Sequence, residues 1–295
     1  MSATTTEGQK AAVDSAIRSI SHIATLPEVT VKIIELVEDP SSTAQDLHHV
    51  IANDPALCSR ILKVVNSAFY GLPRQIGSIN RAIVLLGLNA VKNISIAASL
   101  AKLFRGGELC DQFSAKDLWT HSIATATCSK LICDELKLGL PDEAFLGGLI
   151  HDIGIMVEMQ ADRQKLVAVF DDMTYDRDGV PTTDMRELEC VHFGADHEQF
   201  GAGLCETWKF PKSFSYVVGH HHEPMELPAD HRTLACVVYL ADRITAQVGC
   251  GFRDDIMDTD LPQSIREELG VSLTMAEAIR HELPKAIEDA EASFG

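Results

Sequence analysis

The sequence predicts an all-α protein. Apolar residues recur at helical spacing along nearly the whole 295-residue chain, as Val31, Ile33, Ile34 and Val37 do in "TVKIIELVED". No segment alternates apolar and polar residues for long enough to indicate a strand. Hydrophobic residues make up 46% of the chain and charged residues 23%, a composition typical of a folded globular protein and too apolar for intrinsic disorder.

In the N-terminal part, helical segments alternate with residues that break or cap a helix. Residues 1–18 begin with a polar, Thr-rich stretch and are expected to form a flexible N-terminus. Helices are then predicted in "TVKIIELVED", "TAQDLHHVIAN", "ALCSRILKVVNSAFYG", "INRAIVLLG" and "LNAVKNISIAASLAKLF". Ser41 or Ser42 can cap the second of these, and Asp54 before Pro55 starts the third.

From residue 115 the helical pattern continues almost without interruption. "AKDLWTHSIATATCSKLICDEL" is followed by "DEAFLGGLIHDIGIMVEMQ" and "ADRQKLVAVFDDM", and a break at 179–183 precedes four further helical segments. Two acidic helices end the sequence. These patterns predict an N-terminal helical part over 19–105, a larger helical part over 106–250, and a C-terminal helical appendage over 251–295.

Charge and cysteine usage exclude several classes of protein. The formal net charge is −18 with a pI of about 5.0, which argues against nucleic acid and anionic lipid as partners. No stretch reaches the roughly 18 apolar residues of a spanning helix, and "MSATTTEGQK" lacks the apolar core of a signal peptide. The eight cysteines are scattered without a CxxC pair, as in reduced proteins. We therefore expect a cytoplasmic protein with no membrane association.

Several polar residues stand inside apolar helical patterns. His151 and Asp152 are adjacent in "LIHDIGI", His121 lies in "LWTHSIATA", and Asp242 lies in "VVYLADRI". Each could be a core residue that is satisfied by a hydrogen bond or a local ion pair. Together they form a mixed nitrogen and oxygen donor set suited to a divalent cation such as Mn, Fe, Zn or Mg.

That order and spacing resemble the HD superfamily of metal-dependent phosphohydrolases. Further motifs narrow the resemblance: "DPALCSRILKVVNSAFYG", "INRAIVLLG", "HFGADHEQFGAGLCETWKFP" and "HHEP" are similar to those of the HDOD family, the HD-related output domain of bacterial signalling. The resemblance covers roughly residues 20 to 250. It implies a multi-helix HD-superfamily-like domain with a helical N-terminal subdomain.

The resemblance also implies a metal site. The metal pattern of the related HD-GYP cyclic di-GMP phosphodiesterases falls here on seven residues: His121, His151, Asp152, His197, His221, His222 and Asp242. Such a set could hold one divalent metal, or two if Asp152 bridges them. His192 and His220 have no place in the pattern, and His48 and His49 are expected at the surface.

Two departures from the phosphodiesterases bear on function. Ile155 stands where "HDIGK" would carry a phosphate-binding lysine, and "HHEP" continues as "MELPADH" without a GYP signature. The family is usually regarded as catalytically degenerate. We therefore expect a non-catalytic regulatory module that contacts a signalling protein partner, and a homodimer remains open. The alternative is a metal-dependent phosphohydrolase acting on a nucleotide or cyclic nucleotide, with Asp152 as its catalytic residue.

Overall fold

The computed structural model describes residues 6–20, 26–101, 103, 108–110 and 113–294, and within these ranges it confirms the all-α fold. The helices are α1 (Glu7–Ser19), α2 (Glu28–Glu38), α3 (Ala44–Ala52), α4 (Pro55–Val65), α5 (Ile79–Leu86), α6 (Leu88–Leu100), α7 (Ala115–Leu136), α8 (Pro141–Ile150), α9 (Ile153–Ala161), α10 (Arg163–Asp172), α11 (Met185–Phe193), α12 (His197–Thr207), α13 (Lys212–His220), α14 (Thr233–Gln247), α15 (Gln263–Leu269) and α16 (Leu273–Phe294). Two short strands, β1 (Glu108–Cys110) and β2 (Phe113–Ser114), pair antiparallel, and Pro224–Glu226 forms a 3-10 turn.

The structure has a helix, α1, over much of residues 1–18, where the sequence predicts a flexible N-terminus. Thr6 and Gln9 form a capping box at the start of α1, in which each side chain accepts a hydrogen bond from the backbone N–H of the other residue. Val13 and Ile17 are buried, and α1 packs against α12 and α9. The polar residues at the start of α1 lie on the solvent-facing side of an amphipathic helix whose other side is packed against the protein.

Helix α6 is the centre of the N-terminal helices. Its residues from Ala90 to Leu100 are all buried, and it packs against α2, α4, α5 and α8. One continuous hydrophobic cluster runs from these helices through α7 to α16, across the sequence boundary at residue 105. The buried Lys92 donates hydrogen bonds to the Leu36 carbonyl and the Ser42 hydroxyl. Because Ser42 is engaged there, Thr43 caps α3, whereas the sequence suggested Ser41 or Ser42.

The long helix α7 is the centre of the second part of the chain. It packs against α8, α14 and α16, and small buried residues such as Ser122, Ala124 and Ala126 line its contacts. Small side chains allow neighbouring helix axes to approach closely. This packing brings His121, in the second turn of α7, close to the ends of the neighbouring helices.

The pattern over 142–160 predicts one helix, but the structure has two. Helices α8 and α9 meet at His151 and Asp152, where Asp152 leaves the helical region with φ −94° and ψ 16°. In a continuous helix two adjacent side chains point about 100° apart. The break at Asp152 allows both side chains to point into the same interior.

Beyond α14, the irregular segment 248–262 leads to α15 and α16. Helix α16 packs along α7 and reaches α4, and Phe294 stacks on Phe145 of α8 with ring centroids 5.1 Å apart. A search of the described helices for one that is long and apolar enough to cross a bilayer found no candidate.

Candidate metal centre

The seven residues of the predicted metal set meet in one buried cluster. They come from five places in the fold: His121 from α7, His151 and Asp152 from the α8–α9 junction, His197 from the start of α12, His221 and His222 from the residues after α13, and Asp242 from α14. Six of them have no exposed surface, and His222 is 9% exposed. His192 and His220 lie outside this cluster, and His192 instead contacts Asp172 at 2.8 Å.

The first half of the cluster consists of His121, His151, Asp242 and atom Oδ2 of Asp152. His121 Nε2 lies 3.2 Å from His151 Nε2, 3.0 Å from Asp242 Oδ1 and 3.5 Å from Asp152 Oδ2. His151 Nε2 lies 3.0 Å from Asp152 Oδ2. Two nitrogens and two oxygens therefore converge on one point, as the ligands of a four-coordinate metal ion do.

The second half consists of His197, His221, His222 and atom Oδ1 of Asp152. Oδ1 lies 3.3 Å from His221 Nε2 and 4.0 Å from His197 Nε2, and His197 Nε2 lies 3.0 Å from His222 Nε2. The two oxygens of Asp152 thus face different histidines, one set in each half. A carboxylate placed in this way can bridge two metal ions.

Hydrogen bonds on the outer side of the rings fix how the histidines point. Nδ1 of His151 donates to the Gly148 carbonyl at 2.8 Å, and Nδ1 of His221 donates to the Val218 carbonyl at 3.0 Å. Nδ1 of His197 donates to the Glu189 carboxylate at 2.8 Å. With the proton held at Nδ1, each of these Nε2 lone pairs is directed into the cluster. Metal-binding histidines usually donate their other ring N–H to a carbonyl or carboxylate in this way.

Four acidic side chains around this centre were not predicted from the sequence. Asp255, in segment 248–262, has Oδ2 3.5 Å from His222 Nε2 and belongs to the second half. Glu189 orients His197, Glu198 accepts the backbone N–H of His222 at 3.0 Å, and Glu158 lies beside Glu189. Glu158 stands in the apolar run "IGIMVEMQ", the same signal that drew attention to Asp242. Asp255 carries no such signal, because its neighbours have no helical periodicity.

Burial and mutual charge shift the titration of these groups strongly. Burial lowers the pKa of His121, but Asp242 beside it more than offsets this and raises the pKa to about 9. Burial raises the pKa of Asp152, but the charge of His151 outweighs it and holds the pKa well below its ordinary value. Burial, Asp152 and Asp242 together raise the pKa of Asp255 to about 8. Without a cation the charge of Asp152 is therefore balanced by the neighbouring histidines, whereas Asp255 tends to keep its own proton.

The residues present fit a metal ion. Both oxygens of Asp152, Asp242 and Asp255, together with His221 Nε2, are buried and have no hydrogen bond of acceptable geometry, although ring nitrogens stand close by. Buried polar atoms are almost always hydrogen-bonded, so a group of orphaned donor atoms aimed at common points needs a shared partner. A divalent cation in each half would satisfy all of these atoms.

The surroundings suit a metal ion better than a phosphate group. Ile155, which stands where the phosphodiesterases have a lysine, is fully buried. The guanidinium of Arg186 approaches the outer side of the centre, but it is engaged in ion pairs with Glu198, Asp184 and Glu223. The centre therefore offers ligands for cations, while Arg186 is already paired with carboxylates.

The chain is similar to a known protein family, to a protein of known sequence and to several solved structures. The family model for the HDOD domain matches residues 23–224. An uncharacterized protein of Treponema pallidum (strain Nichols) is 24% identical over 227 residues, which are 76% of this chain and 42% of that protein. The chain thus spans less than half the length of this relative.

Solved structures have the same fold. An HDOD domain protein of unknown function from Geobacter sulfurreducens superposes with a TM-score of 0.75 at 22% identity, covering 98% of this chain and 97% of that chain. A candidate phosphohydrolase from Shewanella amazonensis SB2B gives 0.72 at 22% identity, covering 96% and 98%. A candidate signal transduction protein from Marinobacter aquaeolei VT8 gives 0.75 at 21% identity, covering 98% of this chain and 65% of that chain.

Proposed function

The chain belongs to the HDOD domain family, and on this basis we propose that it is a regulatory module. In this proposal the His/Asp cluster holds one or two divalent cations, and the module acts through contacts with a signalling protein without hydrolysing a phosphoester. The five imidazoles of the cluster favour iron, zinc or manganese over magnesium, which prefers oxygen ligands.

The closure of the centre carries this proposal. Asp152, which would bridge the metal ions, has no exposed surface, and the same holds for His121, His151 and His221. A hydrolase needs its metal-bound water and an open ligand position within reach of the substrate. Here protein side chains occupy the space around the ligand atoms.

Bound cations would supply positive charge and directional bonds to the buried carboxylates. Each ligand side chain would then tie its own element to the centre, so that α7, α12, α14 and the α8–α9 junction are cross-linked at one point. Metal occupancy would therefore stabilise the arrangement of these helices. A ligand whose free concentration is 100 times its dissociation constant stabilises a folded protein by about 2.7 kcal/mol.

A metal-dependent phosphohydrolase is the second candidate, and one observation favours it. All seven residues of the phosphodiesterase metal pattern are present and converge, with Asp152 placed to bridge two ions. When bound, such ions lower the pKa of a coordinated water, which can then attack phosphorus. A structure-preserving role alone does not require a bridging carboxylate.

Metal analysis combined with hydrolysis assays separates the two candidates. The full chain is reconstituted with Mn²⁺ or Fe²⁺, its metal content is measured, and turnover of cyclic di-GMP and bis(p-nitrophenyl) phosphate is followed. Asp152→Asn, which keeps the side-chain shape but removes the bridging charge, is the matched control. We expect bound metal in the wild type, reduced metal in the variant, and no turnover in either.

Other outcomes would overturn the proposal. Metal-dependent turnover that disappears in Asp152→Asn would establish the phosphohydrolase. If the reconstituted protein holds no metal, the proposed metal site does not exist. The buried histidines and carboxylates would then have to form hydrogen bonds with one another.

A further inference from the structure

Asp255 lies in the second half of the metal centre although it is remote from the sequence motifs. Its side chain has no exposed surface, and both of its oxygens lack a hydrogen bond. One of them lies within 4.8 Å of the ring nitrogens of His197, His221 and His222. Residue 255 also lies beyond the residues 23–224 that match the family model, so the family comparison does not assign it a role.

The segment that carries Asp255, residues 248–262, is here named the strap. It contains neither helix nor strand, and the structure describes all of it. Because it has no helical or sheet hydrogen-bond ladder, its position depends on individual anchors, which include a hydrogen bond from Arg253 to the Gly179 carbonyl. Further anchors lie on both sides of Asp255.

The first anchor fixes the beginning of the strap against α7. The Phe252 backbone N–H donates to the Asp117 carbonyl at 3.3 Å, and its ring packs edge-on against Phe113 at 5.4 Å. Gly251 has φ +70° and lies so close to α7 that a Cβ atom there would come within 2.5 Å of the His121 backbone nitrogen. The strap therefore starts directly beside a ligand of the first half.

The other anchors lie further along the strap. Ile256 is buried, and the Gln247 side-chain amide donates to the Thr259 carbonyl at 2.8 Å. Asp255, the remaining inward-facing residue, is different from these, because a carboxylate stabilises a buried position only when it has a partner. Two other carboxylates, Asp152 and Asp242, share the same centre and would repel it.

We propose that Asp255 is a metal ligand supplied by the strap, and that metal occupancy holds the strap closed over the centre. This inference rests on the proposed metal-binding function. With a cation in the second half, Asp255 completes a ligand set of three imidazoles and two carboxylates and draws the strap inward. Without the cation, only the histidine rings face Asp255, and Asp152 and Asp242 oppose its negative charge, so the strap opens more readily. The strap thereby converts metal occupancy into a change at the protein surface, where Met257 is already 45% exposed.

Hydrogen–deuterium exchange read out by mass spectrometry tests the coupling in the wild-type chain. Exchange of residues 248–262 is compared between protein stripped with a chelator and the same protein reloaded with Mn²⁺ or Zn²⁺. We expect at least a 10-fold slower exchange in the strap of the loaded protein. Arg253, which is partly exposed, provides a second readout, because trypsin should cleave after it faster in the stripped protein.

A pair of neighbouring variants tests the ligand. Asp255→Asn removes the ligand charge and should weaken metal binding by at least 10-fold and abolish the effect of metal on strap exchange. Asp254→Asn is the matched control, since it makes the same charge change one residue away, where the side chain lies near Tyr175 and outside the cluster. It should bind metal like the wild type.

The outcomes distinguish this inference from the function on which it rests. If wild-type protein takes up metal but strap exchange is unchanged, or if both variants bind metal equally, Asp255 is not a ligand and only the inference fails. If wild-type protein takes up no metal, the proposed function fails with it. Should Asp255→Asn not fold, the wild-type exchange comparison still decides the matter.

Discussion

Gly154 controls the distance between the α8–α9 junction and α12, and replacing it should weaken the metal binding that we propose. It is the second residue of α9, and the His197 carbonyl of α12 lies directly against it. A Cβ atom at residue 154 would come within 1.8 Å of that carbonyl oxygen and 2.6 Å of its carbon. Both contacts are with backbone, so Gly154→Ala can be accommodated only if the two helices separate.

The size of the separation follows from these distances. Ordinary contact begins at 3.4 Å, so the 1.8 Å approach requires a movement of about 1.6 Å. Metal–ligand distances tolerate roughly 0.2 Å, so His197 would lose its place in the second half. Overpacking of this kind costs about 3 kcal/mol, and the better helix propensity of alanine returns about 1 kcal/mol. The net loss of about 2 kcal/mol should lower Tm by roughly 3 °C in a chain of 295 residues.

Gly147→Ala is the matched control. Gly147 lies in the neighbouring helix α8, and the atoms nearest to a Cβ there are side-chain methyls of Val217 and Val238 at 3.6 Å, an ordinary contact. The assay measures bound metal after reconstitution and Tm by calorimetry for both variants. We expect Gly147→Ala to keep the metal of the wild type and to melt no lower than it, because alanine has the better helix propensity.

One result would refute this reasoning. If Gly154→Ala binds as much metal as Gly147→Ala and melts at the same temperature, the close approach of α9 and α12 does not position His197. A loss of stability with full metal content would show that the helices separate without moving the ligand.

Three further predictions follow from the contacts of single residues. Two concern groups around the centre, and the third concerns a carboxyl group that is remote from it. Glu189→Gln, which removes the charge facing His197 Nδ1, should weaken metal binding by about 10- to 100-fold in a calorimetric titration, and unchanged affinity would contradict a positioning role. Arg186→Met leaves the buried Glu198 without its ion pair and should lower the free energy of unfolding by about 1 to 2 kcal/mol in urea, whereas Arg280→Met, which breaks an exposed pair, should change it by less than about 1 kcal/mol. Burial raises the pKa of Asp142 above 3.8, so its contribution to stability is complete below that pH and is lost as the pH rises through the native pKa. Asp142→Asn should therefore gain stability relative to the wild type as the pH rises above 3.8 in urea unfolding, and a pH-independent difference would count against this.

Helices could be predicted from the sequence wherever local signals decide the structure. Asp54 caps α4 with Pro55 at its first position, as expected, because capping depends on residues that are close in the chain. The division of α8 from α9 could not be predicted. It arises from the need to direct His151 and Asp152 into one cluster, and this is set by packing against α7 and α12 rather than by propensity.

The candidate site shows the same limit. His and Asp residues inside apolar helical patterns stand out, because burying a polar group needs a compensating partner, and all seven predicted residues do converge. Asp255 could not be found in this way. It lies in an irregular segment where an aspartate is ordinary, and only the anchoring of Phe252 and Ile256 turns it inward.

Under our proposal, the charge balance of the centre would make closure by the strap oppose hydrolysis. Two divalent cations carry four positive charges, and Asp152, Asp242 and Asp255 supply three negative ones. If Asp152 and Asp242 were the only carboxylates, the surplus of two positive charges would attract a phosphate group. Asp255 halves that surplus and places its own oxygen beside His222. Under our proposal a substrate phosphate has to displace this oxygen and move the strap before it reaches a metal ion, so the residue that completes the metal site also withholds it from phosphoesters.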